Sequence, residues 1–289
     1  MFYFSYCFQY IQNTYFGGVI IGNLIGGPAS DIFGRRPTIL TFTLILLIVS
    51  HSLAFIDNYT GYLIARCIVG GSAHAIFAVL SVSIIEIVPI DKRSSTMTVL
   101  QIGWIIGNGA LAGLGFFLKN IFDIQLGIAL INIPMVCFFF CIPESPRWLL
   151  VIGQQEKAQQ IFRDIAKWNR ADMSEEFLDE FTDAWTDVIS SQDTDEVTEV
   201  TFKSHFRSTV DQIKLIIGSP IACQRFFLCI FPWFVAGLAY YGIFLSVKLV
   251  KVDKYMLVLV ACLSEIVVVS LVNWIANQVI THFYCKYSV

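Results

Sequence analysis

Gly27, Asp31, Gly34, Arg35 and Arg36 fall within one short stretch at the boundary between two apolar runs. A charge at the edge of low-dielectric surroundings is tolerated when it is paired, so Asp31 with Arg35 and Arg36 predicts a charge cluster. Gly27 and Gly34 lack a Cβ, which predicts close approach by a neighbouring helix. A small-residue contact beside paired charges makes a latch that can open and close. The arginine pair alone would serve to fix topology; the full spacing Gly-x-x-x-Asp-x-x-Gly-Arg-Arg favours the latch. A second element, Pro143-Glu144-Ser145-Pro146-Arg147-Trp148, stands at the exit of another apolar run. Its prolines stop that run, because Pro has no N–H and blocks a helix. Glu144 and Arg147 then lie at the membrane rim.

Ionisable residues inside apolar runs are costly and usually face a cavity or a partner. Arg66 and Glu86 share one such run, and Glu265 lies in another. Glu86 is near a helix end, which predicts a rim salt bridge. Glu265 is deeper, and a cavity role and a structural pairing carry equal weight there. Trp233 to Gly242 reads Trp-Phe-Val-Ala-Gly-Leu-Ala-Tyr-Tyr-Gly. Aromatic faces attract organic cations, although in membrane helices aromatics more often pack or sit at the interface. Tyr240 and Tyr241 are about 100° apart on a helix, so one faces a cavity squarely; Tyr241, beside Gly242, is favoured.

Seven apolar runs position these residues: Tyr10 to Phe33, Thr38 to Ile56, Tyr62 to Val88, Thr96 to Leu118, Ile121 to Ile142, Cys223 to Val247 and Tyr255 to Phe283. A helix needs about 20 apolar residues to cross the hydrocarbon core, so each run predicts a span. The fold class expected is an all-α multi-pass membrane protein. Its regions are 1–142 with five spans, 143–222 as a helical loop and 223–289 with two spans. Arg35, Arg36, Lys92, Arg93 and Arg147 fall in alternate loops, which the positive-inside rule places in the cytoplasm. The loop with Lys248, Lys251 and Lys254 breaks that rule. The N-terminus is then outside and the C-terminus inside. The sequon Asn58-Tyr59-Thr60 faces out on a loop so short that it is expected to stay unglycosylated. In the loop region, Ala158, Ile161, Ile165 and Trp168 predict one face of an amphipathic helix. Phe177, Phe181, Trp185 and Val188 predict a second, with Asp179, Glu180, Asp183 and Asp187 on its wet side. Ser190 to Thr201 reads as an acidic linker.

Composition agrees. The chain is 56% hydrophobic and 14% charged, too apolar for a soluble protein of this length. Pro143 to Ala222 holds 15 of the 22 acidic and 8 of the 19 basic residues, a net −7; the remainder, with 7 acids and 11 bases, is +4. Basic residues do not cluster on one soluble face, which argues against nucleic acid as a partner. Five of the eight cysteines (Cys67, Cys137, Cys141, Cys229, Cys262) lie in apolar runs, and no Cys-x-x-Cys pair supports a metal site. The N-terminus lacks a signal-peptide pattern. No cofactor loop, nucleophile elbow or metal-spaced pair among the four histidines supports an enzyme.

The two charged motifs, in this order and spacing, resemble the major facilitator superfamily, with its sugar-porter and organic-ion branches nearest. The resemblance implies that the Pro143–Trp148 element pairs with the Asp31/Arg35 latch when a carrier faces outward. The chain departs from the family pattern at Ile32, where a basic residue is usual, so one latch contact is missing. Trp233-Phe234 followed by Tyr240, Tyr241 and Gly242 is similar to the seventh-helix signature of organic cation, anion and carnitine carriers. Ala261 to Ile266, with Glu265, is similar to their eighth helix, and Gln101 before Gly103 to their fifth. Glu144 to Leu150 and Ala166 to Arg170 point the same way. The resemblance implies alternating-access transport of a small organic ion without a cofactor. Trp233, Tyr240, Tyr241, Gln101 and Glu265 would point into a central cavity, and the location would be the plasma membrane. The chain corresponds to helices two to eight of a twelve-helix family, and is read as a truncated form able to associate with a full-length relative.

Rival readings remain. A sugar porter would want a Gln/Asn cluster where this chain is aromatic. A seven-helix receptor would want Asp-Arg-Tyr after the third run and Asn-Pro-x-x-Tyr in the last. A non-transporting remnant is a third reading, which uptake measurements would separate.

Overall fold

In a bilayer the lipid tails are as apolar as the side chains, so helices associate through close packing and polar contacts rather than by escaping water. Glycines at four-residue spacing do this here. The structure, a computed structural model, describes residues 2–118, 120–170, 174, 178–182, 184, 214, 218–246 and 254–287. Helix α1 (Phe2–Phe33) and helix α3 (Tyr59–Ile87) run in parallel, with Gly18 against the Cys67 backbone, Gly22 against that of Gly71, and Gly26 against Ala75. A Cβ on Gly18 or Gly22 would overlap a backbone carbonyl of α3, and one on Gly26 would lie 2.9 Å from the Ala75 methyl. Gly27, expected at this contact, is not there: a Cβ on it would meet nothing within 4 Å. The close-packed stripe runs one residue to the side, through Gly26.

Helix α2 (Arg35–Ser52) packs on α3 through Ile39, Leu46, Ile76 and Val79, all buried. Phe42, Val69, Leu80, Met135 and Ile142 close round them. Ile39, Thr43, Leu46 and Ser50 recur at helical spacing and are the buried side of α2. Asn58 caps α3, its side chain accepting from the Thr60 N–H at 3.0 Å.

The fifth apolar run, expected as one helix, is broken. It forms α5 (Ile121–Asn132), a 3-10 stretch (Ile133–Cys137) and the short α6 (Phe138–Cys141). Pro134 is the cause: it has no N–H to give, and its ring crowds the carbonyl of Leu130. At their respective rises the three pieces still reach about 34 Å, enough for the hydrocarbon core. The other six runs hold continuous helices long and apolar enough to cross a membrane. Helix α1 also begins earlier than the apolar pattern, at Phe2 rather than Tyr10.

Pro146 starts a helix as well as barring the previous one. It is the first residue of α7 (Pro146–Val151), whose cap Ser145 accepts from the Trp148 N–H at 3.3 Å. Helix α8 (Gln155–Asn169) folds back so that Leu149, Leu150 and Ala158 are buried together, with Trp148 and Ile161 beside them. Trp168, expected on the apolar face, is 90% exposed, and Ala166 is buried instead. Phe181 meets Phe162 edge-on, and Gln155 and Gln159 both donate to the buried Thr182 hydroxyl. Phe177, Asp183, Trp185, Asp187, Val188, the stretch 190–201, Lys248 and Lys251 lie outside the described residues, as do the side chains of Tyr240, Tyr241 and Lys254.

The chain divides into two compact units, 1–96 with 120–200 and 97–119 with 201–289. The second holds most of α4 (Arg93–Phe117), with α9 (Pro220–Ser246) and α10 (Lys254–Tyr287). In it α4 and α10 run antiparallel, since Gln101 meets Glu265 while Gly115 and Phe116 meet Tyr255. A Cβ at Gly115 would lie 2.5 Å from the Tyr255 ring, so this glycine admits the ring.

Candidate functional site: a charge cluster and a polar pair

Four helix ends of the first unit converge on Arg35. The end of α1 brings Asp31, the start of α2 brings Arg35, the end of α3 brings Glu86, and the approach to α7 brings Glu144 and Ser145. Arg35 grips Glu86 with two parallel bonds, Nη2 to Oε1 at 2.9 Å and Nε to Oε2 at 3.2 Å. Its Nη1 donates to Asp31 Oδ1 at 2.8 Å and to the Ser30 carbonyl at 2.9 Å. The side chains of Arg35 and Glu86 are each only 10% exposed, while Asp31 is 42% exposed. The Arg35–Glu86 pair is therefore a sheltered, bidentate ion pair, and Asp31 is its wetter flank. Glu86 also accepts from the Ser145 hydroxyl at 2.5 Å, which ties the pair to α7.

Glu144 acts on a different group of atoms. Its Oε1 accepts from the backbone N–H of Arg35 at 2.8 Å, of Arg36 at 3.1 Å and of Ser145 at 3.0 Å. A carboxylate thus sits on the first free N–H groups of α2, where the helix dipole favours negative charge. Gly34 makes room for it. Its φ is 101°, a conformation that strains any residue with a Cβ, and a Cβ here would lie 2.6 Å from Glu144 Oε2. Trp148 completes the tie by donating from Nε1 to the Asp31 carbonyl at 2.8 Å.

The rim salt bridge expected of Glu86 is present, and the Pro143–Trp148 element does meet the Asp31/Arg35 motif. Arg36 and Arg147 are exposed. Arg36 borders an open groove of about 620 Å³ together with Phe33, Trp148 and Lys157. Arg66 does not belong to the cluster: along α3 it is about 30 Å from Glu86 at 1.5 Å per residue. Sequence reasoning missed Ser145 and the Ser30 carbonyl as members. A serine directly before a proline at a helix start is a capping signal, and it could have flagged Ser145.

In the second unit, Gln101 Nε2 donates to Glu265 Oε1 at 3.5 Å, the long limit of a hydrogen bond. Both side chains are half-buried. The structure brings these two candidates together. It does not bring Trp233 to them: the indole is 81% exposed.

Comparison with known proteins places this architecture. Residues 8–285 match the family described as sugar (and other) transporter. The organic cation transporter protein of Drosophila melanogaster is 30% identical over 78% of this chain and 39% of its own length. Solute carrier family 22 member 6-A of Xenopus laevis is 27% identical over 86% of this chain and 42% of its own. Organic anion transporter 3 of Oryctolagus cuniculus is 29% identical over 85% and 43% respectively. The chain thus spans about two-fifths of the length of these curated relatives. Among solved structures, the proton:xylose symporter XylE, a major facilitator superfamily protein, superposes with a TM-score of 0.70 at 19% identity, over 94% of this chain and 59% of that one. The fold is accordingly a partial major facilitator fold. A family match across nearly the whole chain, on helices built to span a bilayer, settles the assignment: this is a multi-pass membrane protein that belongs to the sugar (and other) transporter family of the major facilitator superfamily, similar within it to organic cation and anion carriers.

Proposed function

We propose that the chain serves secondary transport of small organic ions by alternating access, in the plasma membrane, as part of a carrier of the length of its curated relatives. The observation that carries this is the Arg35 cluster. Four helix ends are held together by one sheltered ion pair; in the proposed cycle this is the closed state, and withdrawal of α7 would open it. A substrate that binds the two states unequally shifts their populations, which is what a transport cycle requires. Translocation of this kind needs no bond-making step, no cofactor and no nucleic acid; its partners are the substrate ion, the bilayer and a full-length relative. Organic ions are favoured over sugars because the curated relatives are organic cation and anion transporters. The regions 1–142, 143–222 and 223–289 serve as partial bundle, cytoplasmic loop and partial second bundle.

In this reading Glu265 and Gln101, which meet at 3.5 Å, line the path of the ion. Glu265→Gln keeps the shape and removes the charge. In the longer carrier it is expected to raise the KM for cations by about tenfold, the loss of a single charge-assisted contact, with little change for neutral substrates. An unchanged preference for charge would leave Glu265 a packing residue.

The Arg35 cluster and the loop that follows Pro143 are assigned to the cytoplasm by the distribution of Lys and Arg. A tag inserted near Asp193 is expected to survive protease added to intact cells and to be cut once the membrane is permeabilised. Cleavage in sealed cells would invert the topology.

A further inference from the structure

Helix α8 carries a tryptophan that its own hairpin does not use. The side of α8 that packs inward holds Ala158 and Ala166, both buried. Trp168, in the last turn, is exposed instead. Its indole is a broad apolar ring with a single N–H donor at the edge.

The direction of that ring follows from a second face of α8. Lys157, Ile161 and Asp164 line the groove that Phe33, Arg36 and Pro37 line from the ends of α1 and α2. Those three positions are i, i+4 and i+7, one stripe of an α-helix, and i+11 of the same stripe is Trp168. At 100° per residue it projects within about 20° of Lys157, and at 1.5 Å per residue it stands about 6 Å beyond Asp164. The indole therefore points to the groove side of α8, the side on which α1 and α2 leave the bilayer. Phe33, the last residue of α1, marks that level and is itself exposed.

The residues around it have the chemistry of a membrane surface. Lys157, Lys167 and Arg170 are exposed along the same half of the helix. Asp164 is the acid of the stripe, and its Oδ1 accepts from Gln160 Nε2 at 3.1 Å. Glu156 is exposed as well, about 100° round the helix from Lys157. Tryptophan favours the headgroup layer, where the ring meets apolar chains and the N–H meets water. The cytoplasmic leaflet is anionic and attracts bases held at its surface.

We infer that the C-terminal half of α8 is a membrane anchor: Trp168 enters the headgroup layer, and Lys157, Lys167 and Arg170 gather anionic phospholipid round it. The anchor goes beyond the carrier reading and does not depend on it. Through α7 it ties the Glu144 and Ser145 contacts of the Arg35 cluster to the lipid surface.

The test uses the full chain labelled with fluorotryptophan, in nanodiscs of phosphatidylserine and phosphatidylcholine. Both leaflets of such a disc carry the same lipids, so the result does not depend on which side is cytoplasmic. Trp168 is one of six tryptophans, and its fluorine resonance is the one missing from Trp168→Phe, a change at an exposed position. Phosphatidylcholine bearing a nitroxide on its headgroup is expected to broaden that resonance. A neutral, soluble gadolinium chelate is expected to broaden it at least about threefold more in discs of phosphatidylcholine alone than in discs with phosphatidylserine. The double variant Lys157→Gln with Lys167→Gln should show the phosphatidylcholine behaviour in both kinds of disc. No broadening by the nitroxide lipid overturns the anchor, whether the chelate reaches the indole freely, as in water, or not at all, as against protein. Equal broadening by the chelate in the two kinds of disc overturns the anionic lipid surface as its partner.

Discussion

Replacing Arg35 by alanine is expected to be among the most damaging single changes in this chain. It leaves the Glu86 carboxylate sheltered with only the Ser145 hydroxyl for company. Removing one partner of a buried pair costs about 3–5 kcal/mol, more than the net worth of the pair, because the other charge is stranded. The companion change makes the point sharper. Glu86→Gln with Arg35→Met removes both charges at similar volume and is expected to recover more than half of that loss. Thermal melts of the purified proteins in one detergent, followed with a thiol-reactive dye, measure both. Additive effects of the two substitutions would mean that the 2.9 Å contact carries no coupling. The double variant should be folded and nevertheless slow in transport within the longer carrier, because the closed state has lost the contact that selects it. Wild-type uptake by the double variant would reduce Arg35 to a topology signal.

The second large effect is expected at Gly22 and not at Gly27, although the two are equally glycine and share one helix. An alanine at Gly22 would drive its methyl into the Gly71 backbone, which has no flexible end to move away. Helices α1 and α3 must then separate along the whole stripe from Gly18 to Gly26, at a cost of about 1–3 kcal/mol or more for overpacking. At Gly27 the same methyl meets open space, and alanine gains up to about 1 kcal/mol of helix propensity. The expected order in surface expression and melting temperature is therefore Gly27→Ala at or above wild type, and Gly22→Ala well below. Equal tolerance at the two positions would show that the close packing of α1 on α3 is not what holds the first unit together.

The sequence by itself determined much of this protein. The seven apolar runs and the charges and prolines that end them were legible, because a bilayer admits few charges and no unsatisfied backbone. The two charged motifs were legible for the same reason: Arg35 and Glu144 stand where helices leave the apolar layer, and both found their partners there. Tertiary structure decided the rest. Nothing in the chain said that Arg35 would choose Glu86, 51 residues away, as its bidentate partner. Nor did it say that Glu144 would cap α2 through backbone N–H groups, leaving the guanidiniums to others. Gly26 and Gly27 are indistinguishable by type, and only the position of α3 selects which of them is packed. Arg66 and Glu86 look alike as charges in one apolar run. The rise of the helix puts them at opposite ends, one in a closed network and the other between two tyrosine rings. Pairing in a membrane is set by which helix faces come together, and that is a property of the assembled bundle rather than of any one segment.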